Sequence, residues 1–218
     1  MGASIGVAHG IARAGIAPQS VAVLGDSTFF HAGMPALLNL AYNDVPAVVI
    51  ILDNGTTAMT GHQDNPGTGR TLRGQETVRA DFATLARGMG ISHVHVVDSY
   101  DVRAVEQAVR SALAAAAPAV VVAQRACALL PSVRPTWQAL RVDPARCNGC
   151  GLCLRLGCPA LGQSDAVAGA SGRHLVHIDP LLCTGCQVCA QVCARGAISR
   201  QTQNEMREKS GPQRDEHP

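Results

Sequence analysis

The sequence predicts a parallel α/β domain followed by a small, cysteine-rich α+β domain. Short, continuous apolar runs alternate with helix candidates over residues 1–125. Such runs are typical of strands buried on both faces of a parallel sheet, with helices packed on those faces. Eight of the nine cysteines then lie in two tight groups near the C-terminus. A chain of 218 residues can hold one domain of ordinary size and a second, smaller one.

Four segments are predicted from composition. Residues 1–126 should form the α/β domain, and residues 127–140, which contain prolines, a linker. Residues 141–200 should form the cysteine-rich domain. Residues 201–218 are polar and charged, so we expect a disordered tail.

The elements of the α/β domain follow from apolar patterning and capping residues. Strands are predicted at residues 21–24, 47–52, 93–97 and 119–123. Asp101 is the expected N-cap of the last helix. Helices are predicted at residues 34–42, 77–88 and 102–116.

The two cysteine groups have the spacing of iron–sulfur ligands. Three cysteines at successive CxxC steps, with a remote fourth, are typical of a [4Fe–4S] cluster. When the run occurs twice, each fourth cysteine ligates the other cluster. The first predicted ligand set is Cys147, Cys150, Cys153 and Cys193. The second is Cys183, Cys186, Cys189 and Cys158. Two adjacent clusters would form a relay for single electrons.

Zinc and disulfides are the alternatives for these cysteines. Zinc sites usually take two CxxC pairs, whereas each group here has a triple step. Disulfides require an oxidising compartment, which nothing in the sequence indicates. Gly149, Gly151 and Gly185 favour clusters, because they would let backbone N–H groups turn toward sulfur. Cys127 stands outside both groups and is expected to be a buried apolar residue.

Charge and hydropathy narrow the class of partner. The chain has 18 basic and 16 acidic side chains, a formal charge of +2. This balance argues neither for nor against a nucleic-acid partner, and we expect none. No apolar run reaches about 18 residues, so no membrane span is predicted. A cytoplasmic location is expected, since free thiolates persist in a reducing compartment.

Polar residues follow two neighbouring predicted strands. Gly25, Asp26 and Ser27 follow the first strand, and Asp53 with Asn54 follows the second. Ligands of open parallel sheets bind beyond the carboxyl ends of the strands. Carboxylate and amide oxygens suit Mg²⁺, which fills its other positions with phosphate oxygens and water. A tight turn capped by Asp26 is the simpler interpretation.

This pattern resembles the magnesium–diphosphate motif of thiamine diphosphate enzymes, in which Gly-Asp-x is followed after about thirty residues by Asn. Ser27 stands where the family more often has glycine. The resemblance implies that Mg²⁺ is held by the side chains of Asp26 and Asn54 and by the backbone carbonyl of Thr56. The cofactor-binding residues it implies are Gly25, Asp26, Ser27, Asn54, Thr56 and Gly61.

Together, the two motifs resemble the 2-oxoacid:ferredoxin oxidoreductases. Residues 143–199 are similar to bacterial two-cluster ferredoxins, with four residues before Cys158 and with Ala194 in place of proline. The segments around His31 and around His62 look most like the C-terminal half of the larger subunit in the indolepyruvate (arylpyruvate) branch. The family implies oxidative decarboxylation of a 2-oxoacid, acyl transfer to coenzyme A, and electrons passed through two [4Fe–4S] clusters to ferredoxin.

His31 and His62 are the candidate catalytic groups. Both lie on loops expected at the ligand edge of the sheet, and histidine titrates near neutral pH. A purely structural role in the loop is the equal alternative for each.

The resemblance also implies partners. The family uses an upstream pyrimidine-binding domain or chain, whose glutamate activates thiamine, and a smaller partner subunit. The sequence begins inside the expected cofactor domain, so we expect a fragment, a misplaced start or one piece of a split subunit, inactive without its partners. The alternatives are a stand-alone electron-transfer module with a vestigial cofactor domain, and a scaffold that docks ferredoxin or a subunit.

Overall fold

The computed structural model describes residues 2–17, 19–168 and 172–200. The chain divides into two compact units, Met1–Val133 and Arg134–Pro218. The predicted tail, residues 201–218, lies outside the described residues. None of the helices in the described part of the chain is long and apolar enough to cross a membrane.

The first unit is a parallel sheet with helices on both faces, which confirms the predicted fold class. The strands are β1 (Ser20–Gly25), β2 (Ala47–Asp53), β3 (His93–Asp98) and β4 (Ala119–Gln124), in the order β1-β2-β4-β3. The helices are α1 (Ala3–Arg13), α2 (Asp26–Thr28), α3 (Met34–Tyr42), α4 (Phe82–Gly88) and α5 (Val102–Ala114). A π-helical segment, Phe29–Gly33, joins α2 to α3.

Two helix predictions need correction at their ends. The predicted helix at residues 77–88 begins only at Phe82, because the N–H groups of Thr77 and Ala80 donate to carbonyls of the preceding loop. Asp81 then caps α4 by accepting a hydrogen bond from the Thr84 N–H at 2.7 Å. The last helix ends at Ala114, since Ala116 adopts a left-handed φ of 48°.

The core lies on both faces of this sheet. On one face Ile5 of α1, Leu37 of α3 and Phe82 of α4 are buried together. On the other face Ala108 and Ala112 of α5 pack against β2 and β4.

Burial on both faces, which we predicted for every strand, is correct for the central strand β4 and for β2 except at Leu52, which is 48% exposed, and it is wrong for the edge strands. In β1, Val21 and Val23 are about half exposed, at 47% and 50%. Val96 of β3 is likewise 50% exposed. An edge strand has one neighbour, so the helices leave part of its surface uncovered.

The second unit is small and built from two antiparallel pairs. β5 (Leu140–Val142) pairs with β8 (Ile198–Arg200), and β6 (Leu161–Ala168) pairs with β7 (Arg173–Ile178). A 3₁₀ helix, Leu152–Leu156, and α6 (Val188–Val192) each carry one cysteine of a group. The buried core of this unit consists of Leu140, Cys153, Val176, Cys189 and Ile198.

Candidate functional site

Four buried polar residues lie in the first unit, at the carboxyl edge of the sheet or in the loop that follows β2. Because Gly25 pairs with Leu52 and Asp53 with Gln124, the tips of β1, β2 and β4 are level with one another. Asp26 follows β1 directly and is only 4% exposed. The buried polar residues are Asp26, Asp53, Thr56 and Asn65.

Asp26 is a buried carboxylate that is only half satisfied. Its Oδ1 accepts a hydrogen bond from the Ser27 N–H at 2.6 Å. Its Oδ2 is buried and has no hydrogen-bond donor of good geometry among the described residues, although the Asn65 side chain and the Thr56 N–H lie near enough to the carboxylate to act as weak donors. Burial raises the pKa of Asp26, the Ser27 N–H opposes that change, and Asp53 raises the pKa further. Neighbouring polar groups of Asn65 and Thr56 also act to lower it. A cation would satisfy the unpaired oxygen.

The turn after β2 presents two further oxygens. The Asn54 side-chain oxygen accepts a hydrogen bond from the Thr56 N–H at 3.1 Å, and the Asn54 carbonyl accepts one from the Cys127 N–H at 2.8 Å. The Thr56 carbonyl accepts from the Ala58 N–H at 3.0 Å. An amide oxygen has two lone pairs, so the Asn54 side chain and the Thr56 carbonyl each keep one for a metal ion. These residues therefore fit the magnesium ligands that the resemblance implies.

Asp53 anchors this turn to the rest of the sheet. Its Oδ1 accepts a hydrogen bond from the Gly55 N–H at 3.0 Å, and its Oδ2 accepts one from Gln124 Nε2 at 2.7 Å. Arg79 Nη2 lies 3.9 Å from the same Oδ2, and Arg79 Nε donates to the Gly67 carbonyl.

Sequence reasoning placed Asp53 at a strand tip but gave it no role, and it missed Gln124, Asn65 and Arg79. The position of Gln124 directly after a predicted strand was the one available indication. Asn65 and Arg79 lie in a long loop with no motif around them.

The two candidate histidines lie on the surface. His31, which we expected on a loop, is instead exposed in the π-helical segment that joins α2 to α3. His62 is exposed with a left-handed φ of 62°, and its N–H donates to the Thr57 carbonyl at 3.1 Å. Gly61, beside it, has φ 111° and belongs to the same loop, which the Thr57–Gln63 pair closes. In the described structure neither histidine side chain hydrogen-bonds to Asp26 or Asn54, and their roles stay predictions.

Each of the two buried cysteines is surrounded by one predicted ligand set. Burial raises the pKa of Cys153, and the charges of Cys193, Cys150 and Cys147 raise it further. Burial likewise raises the pKa of Cys189 to about 12, with added contributions from the second set. Those contributions come from Cys186, Cys183 and Cys158. Within the described residues, no three Cys, His, Asp or Glu side chains are gathered closely enough to hold a single metal ion.

The first set lines a pocket whose empty space, including the part open to solvent, is about 340 Å³. All four of its cysteines face this space. Val142, Val176 and Ile198 supply apolar walls. A small cavity with four thiols and apolar walls fits a cubane cluster.

Backbone groups surround the sulfur atoms. The Ala197 N–H donates to Cys193 Sγ at 3.3 Å, and the Leu140 N–H donates to Cys183 Sγ at 3.4 Å. Such bonds tune the reduction potential of a bound cluster.

The glycines of the two runs meet a steric requirement. Gly149, Gly151 and Gly185 have φ of 67°, 71° and 73°, a region that other residues rarely adopt. A Cβ on Gly149 would lie 2.7 Å from the His174 carbonyl oxygen, and a Cβ on Gly185 would overlap the Gln138 backbone.

Both departures from the ferredoxin pattern lie in turns. The additional residue before Cys158 is accommodated where the 3₁₀ helix ends at Gly157, which has φ 65°. Ala194 is exposed in a turn that the Gly196 N–H closes by donating to the Cys193 carbonyl. Cys127 is half-buried and not fully buried as expected, because it follows β4 at the sheet edge.

Comparisons with known proteins agree with both units. Residues 1–123 match the family described as thiamine pyrophosphate enzyme, C-terminal TPP binding domain, and residues 139–194 match the 4Fe-4S dicluster domain. "Indolepyruvate oxidoreductase subunit IorA" of Pyrococcus horikoshii is 39% identical over 94% of this chain. The protein of the same name from Pyrococcus abyssi is 42% identical over 74% of the chain. The chain spans 34% and 28% of the lengths of these two relatives.

A solved structure gives a weaker similarity. The thiamine diphosphate-dependent 4-hydroxybenzoylformate decarboxylase of Rhodococcus jostii RHA1 is 31% identical, with a TM-score of 0.43 over 58% of this chain and 23% of that one. The two family models, by contrast, each match one unit of the chain. This chain belongs to the thiamine pyrophosphate enzymes and joins their C-terminal TPP-binding domain to a 4Fe-4S dicluster domain.

Proposed function

We propose that the chain is part of a 2-oxoacid:ferredoxin oxidoreductase of the indolepyruvate (arylpyruvate) type. The complete enzyme would oxidatively decarboxylate a 2-oxoacid, transfer the acyl group to coenzyme A and reduce ferredoxin. Support comes from the name shared by the curated relatives and from two kinds of site that occur in one chain. Nine free cysteines, eight of them in the two predicted ligand sets, fit a cytoplasmic setting.

In this proposal Mg²⁺ is held by Asp26, Asn54 and Thr56, and the diphosphate lies against Gly25, Ser27 and Gly61. The buried, unpaired Oδ2 of Asp26 is the observation that carries it. Burying a carboxylate charge without a partner costs free energy, which favours a bound cation as the partner of this oxygen. Thiamine diphosphate, when bound, supplies the carbanion chemistry of decarboxylation. Asp53 and Gln124 hold the turn in place, and His31 and His62 are the candidates to move protons near the substrate.

The second part of the proposal concerns the cysteines, which would hold the two clusters that carry electrons away. The first cluster takes Cys147, Cys150, Cys153 and Cys193. The second takes Cys183, Cys186, Cys189 and Cys158. Support comes from the grouping of thiols around Cys153 and Cys189, which matches these sets. Turnover further requires a pyrimidine-binding domain or chain and the smaller subunit, as the family resemblance implies.

Calorimetric titration of the reconstituted chain with thiamine diphosphate tests the cofactor site. We expect binding that requires Mg²⁺ and is lost in Asp26→Ala. Asp98→Asn is the matched control, because Asp98 lies at the tip of β3 but is paired with Arg125 at 2.7 Å. This control should bind like the wild-type chain. Equal binding by Asp26→Ala would overturn the site. No binding by a chain with intact clusters would favour the electron-transfer module with a vestigial cofactor domain.

A further inference from the structure

The two predicted clusters differ in how close they come to the surface. Among the eight cysteines of the two sets, Cys150 of the first set is exposed, and the others are half-buried or buried. The first set therefore reaches solvent through the loop that contains Cys147 and Cys150. The rate of electron transfer between proteins falls steeply with distance. The cluster with an exposed ligand is therefore the better donor to an external carrier.

Three exposed arginines surround this loop and its pocket. Arg195 lines the pocket itself. Arg173 packs beside Gly149, where its Cβ would lie 2.7 Å from an added Cβ. The Arg146 guanidinium packs beside Gly196 in the same way, since its Nη2 would lie 2.7 Å from a Cβ added there. None of the ion pairs found among the described residues involves Arg146 or Arg195. We call these three residues the arginine rim.

The surface beside the second set is different. Leu181 and Leu182 directly precede Cys183 and are 86% and 51% exposed. An aspartate lies beside each set: the Asp179 carbonyl accepts a hydrogen bond from the Cys183 N–H, and the Asp143 carbonyl accepts one from the Cys147 N–H, both at 3.0 Å. On the same side, the Arg134 guanidinium stacks on Trp137, 5.5 Å from the ring centre. Trp137 is next to Gln138, whose backbone lies against Gly185 of the second run. The arginines therefore gather around the first pocket, whereas exposed leucines occur on both sides, Leu152 at the first set and Leu181 with Leu182 at the second.

The unit as a whole is also basic. Residues 134–200 contain seven arginines and three aspartates, and neither lysine nor glutamate. A cluster with four thiolates is itself negative, so the rim offsets the charge of the first cluster locally. An approaching acidic surface would otherwise be repelled at this position.

We propose that the arginine rim is the docking surface for an acidic iron–sulfur electron carrier, which takes electrons from the first cluster. One electron leaves the reduced first cluster, which is oxidised, and reduces the carrier, without transfer of a proton or formation of a bond. This inference rests on the proposed function, because it requires both clusters to be present.

The test follows electron transfer from the chemically reduced, reconstituted chain to an acidic two-cluster ferredoxin in a stopped-flow instrument at several ionic strengths. The variant is Arg146→Gln/Arg195→Gln. Its matched control is Arg134→Gln/Arg200→Gln, because both arginines lie beside the second set. Arg134 stacks on Trp137. Arg200 pairs in the sheet with Leu140, whose N–H donates a hydrogen bond to Cys183 Sγ. Methyl viologen, a small cation, serves as an acceptor that should not need the rim.

We expect the rim variant to lose about tenfold in second-order rate at low salt, with the difference vanishing at high salt. The control variant and the reaction with methyl viologen should change little. Arg146→Lys/Arg195→Lys should restore most of the rate, because the charge is kept. Equal losses in both double variants, or no loss, would overturn the inference. The inference would also be overturned if the rate fell equally at all salt concentrations and the reduction potential of the cluster shifted. In that case the arginines would tune the cluster and not dock the carrier.

Iron analysis of each preparation separates two kinds of failure. A chain that assembles no clusters contradicts the proposed function itself. A chain with both clusters and a rim-independent rate contradicts only the docking surface.

Discussion

The two units assemble their sites by different means. In the cysteine-rich unit, two runs of similar sequence fold locally around their own glycines, and each run contributes three thiols to its set. In the α/β unit, the polar groups come from separate strands and are brought together by the register of the sheet. The first kind of site depends on backbone conformation within a few residues. The second depends on contacts between residues far apart in the sequence, such as Gln124 and Asp53.

Among substitutions that separate the two kinds of site, we expect the greatest loss at Gly185. In Gly185→Ala the new Cβ would overlap the Gln138 backbone at a φ of 73°, so the loop must move. We expect loss of the second cluster, with iron falling from about eight to about four per chain. Iron and sulfide analysis after anaerobic reconstitution measures this.

Gly151→Ala is the control for that variant. Its φ is 71°, but the nearest atom to a new Cβ is Leu154 Cδ1 at 3.8 Å. Only the backbone strain of about 1 kcal/mol remains, so both clusters should be kept. Equal iron in the two variants would show that close approach at Gly185 is not what the cluster requires.

The second effect concerns Asp26 in the α/β unit. Burial raises the pKa of Asp26, so the folded chain holds that proton more tightly than the unfolded chain. The resulting penalty is absent below a pH of about 3.8 and grows as pH rises through the raised pKa. At neutral pH without Mg²⁺, Asp26→Asn should therefore be more stable than the wild type, by about 1–3 kcal/mol as for other unsatisfied buried groups.

Denaturant unfolding of this unit, with and without Mg²⁺ and thiamine diphosphate, measures the effect. The ligands should stabilise the wild type and leave Asp26→Asn unchanged. An Asn variant that is less stable than the wild type without Mg²⁺ would mean that the Asp26 carboxylate has a partner inside the protein.

The smallest effect tests how similar the two cysteine runs are. Gln187 occupies the place that Gly151 has in the first run, and it adopts a φ of 65°. Gln187→Gly should stabilise the chain by about 0.5–1 kcal/mol, because glycine adopts this region without strain. Gln191→Gly in α6 is the control and should destabilise by about 1 kcal/mol, since glycine weakens a helix. A destabilising Gln187→Gly would indicate that the Gln187 side chain makes contacts worth more than the strain.

The sequence predicted the features that depend on local patterns. The buried runs around Val49 and Val121 indicated β2 and β4, and the parallel sheet followed from their alternation with helices. The cysteine spacing predicted two groups of thiols, and the thiols whose charges raise the pKa of Cys153 and of Cys189 fall into these groups, while their roles as cluster ligands stay predictions. In these cases the spacing of residues along the chain determines their arrangement.

Features set by distant contacts were not predicted. The start of α4 at Phe82 depends on hydrogen bonds between Thr77 or Ala80 and a remote part of the loop. The burial of Asn65 and the bond from Gln124 to Asp53 follow from the folded loop and the sheet register. The exposure of β1 and β3 follows from strand order, which apolar runs do not encode.

The proposed function depends above all on two [4Fe–4S] clusters, held by the two cysteine runs with their fourth cysteines exchanged. Iron and sulfide counting, with low-temperature EPR of the reduced sample, tests it in the wild-type chain and in Cys158→Ser. We predict about eight irons and spin-coupled signals in the wild type, and about four irons with one uncoupled signal in Cys158→Ser. Cys127→Ser, outside both sets, should match the wild type. Bound zinc in place of iron, or loss of iron in Cys127→Ser and not in Cys158→Ser, would contradict the account.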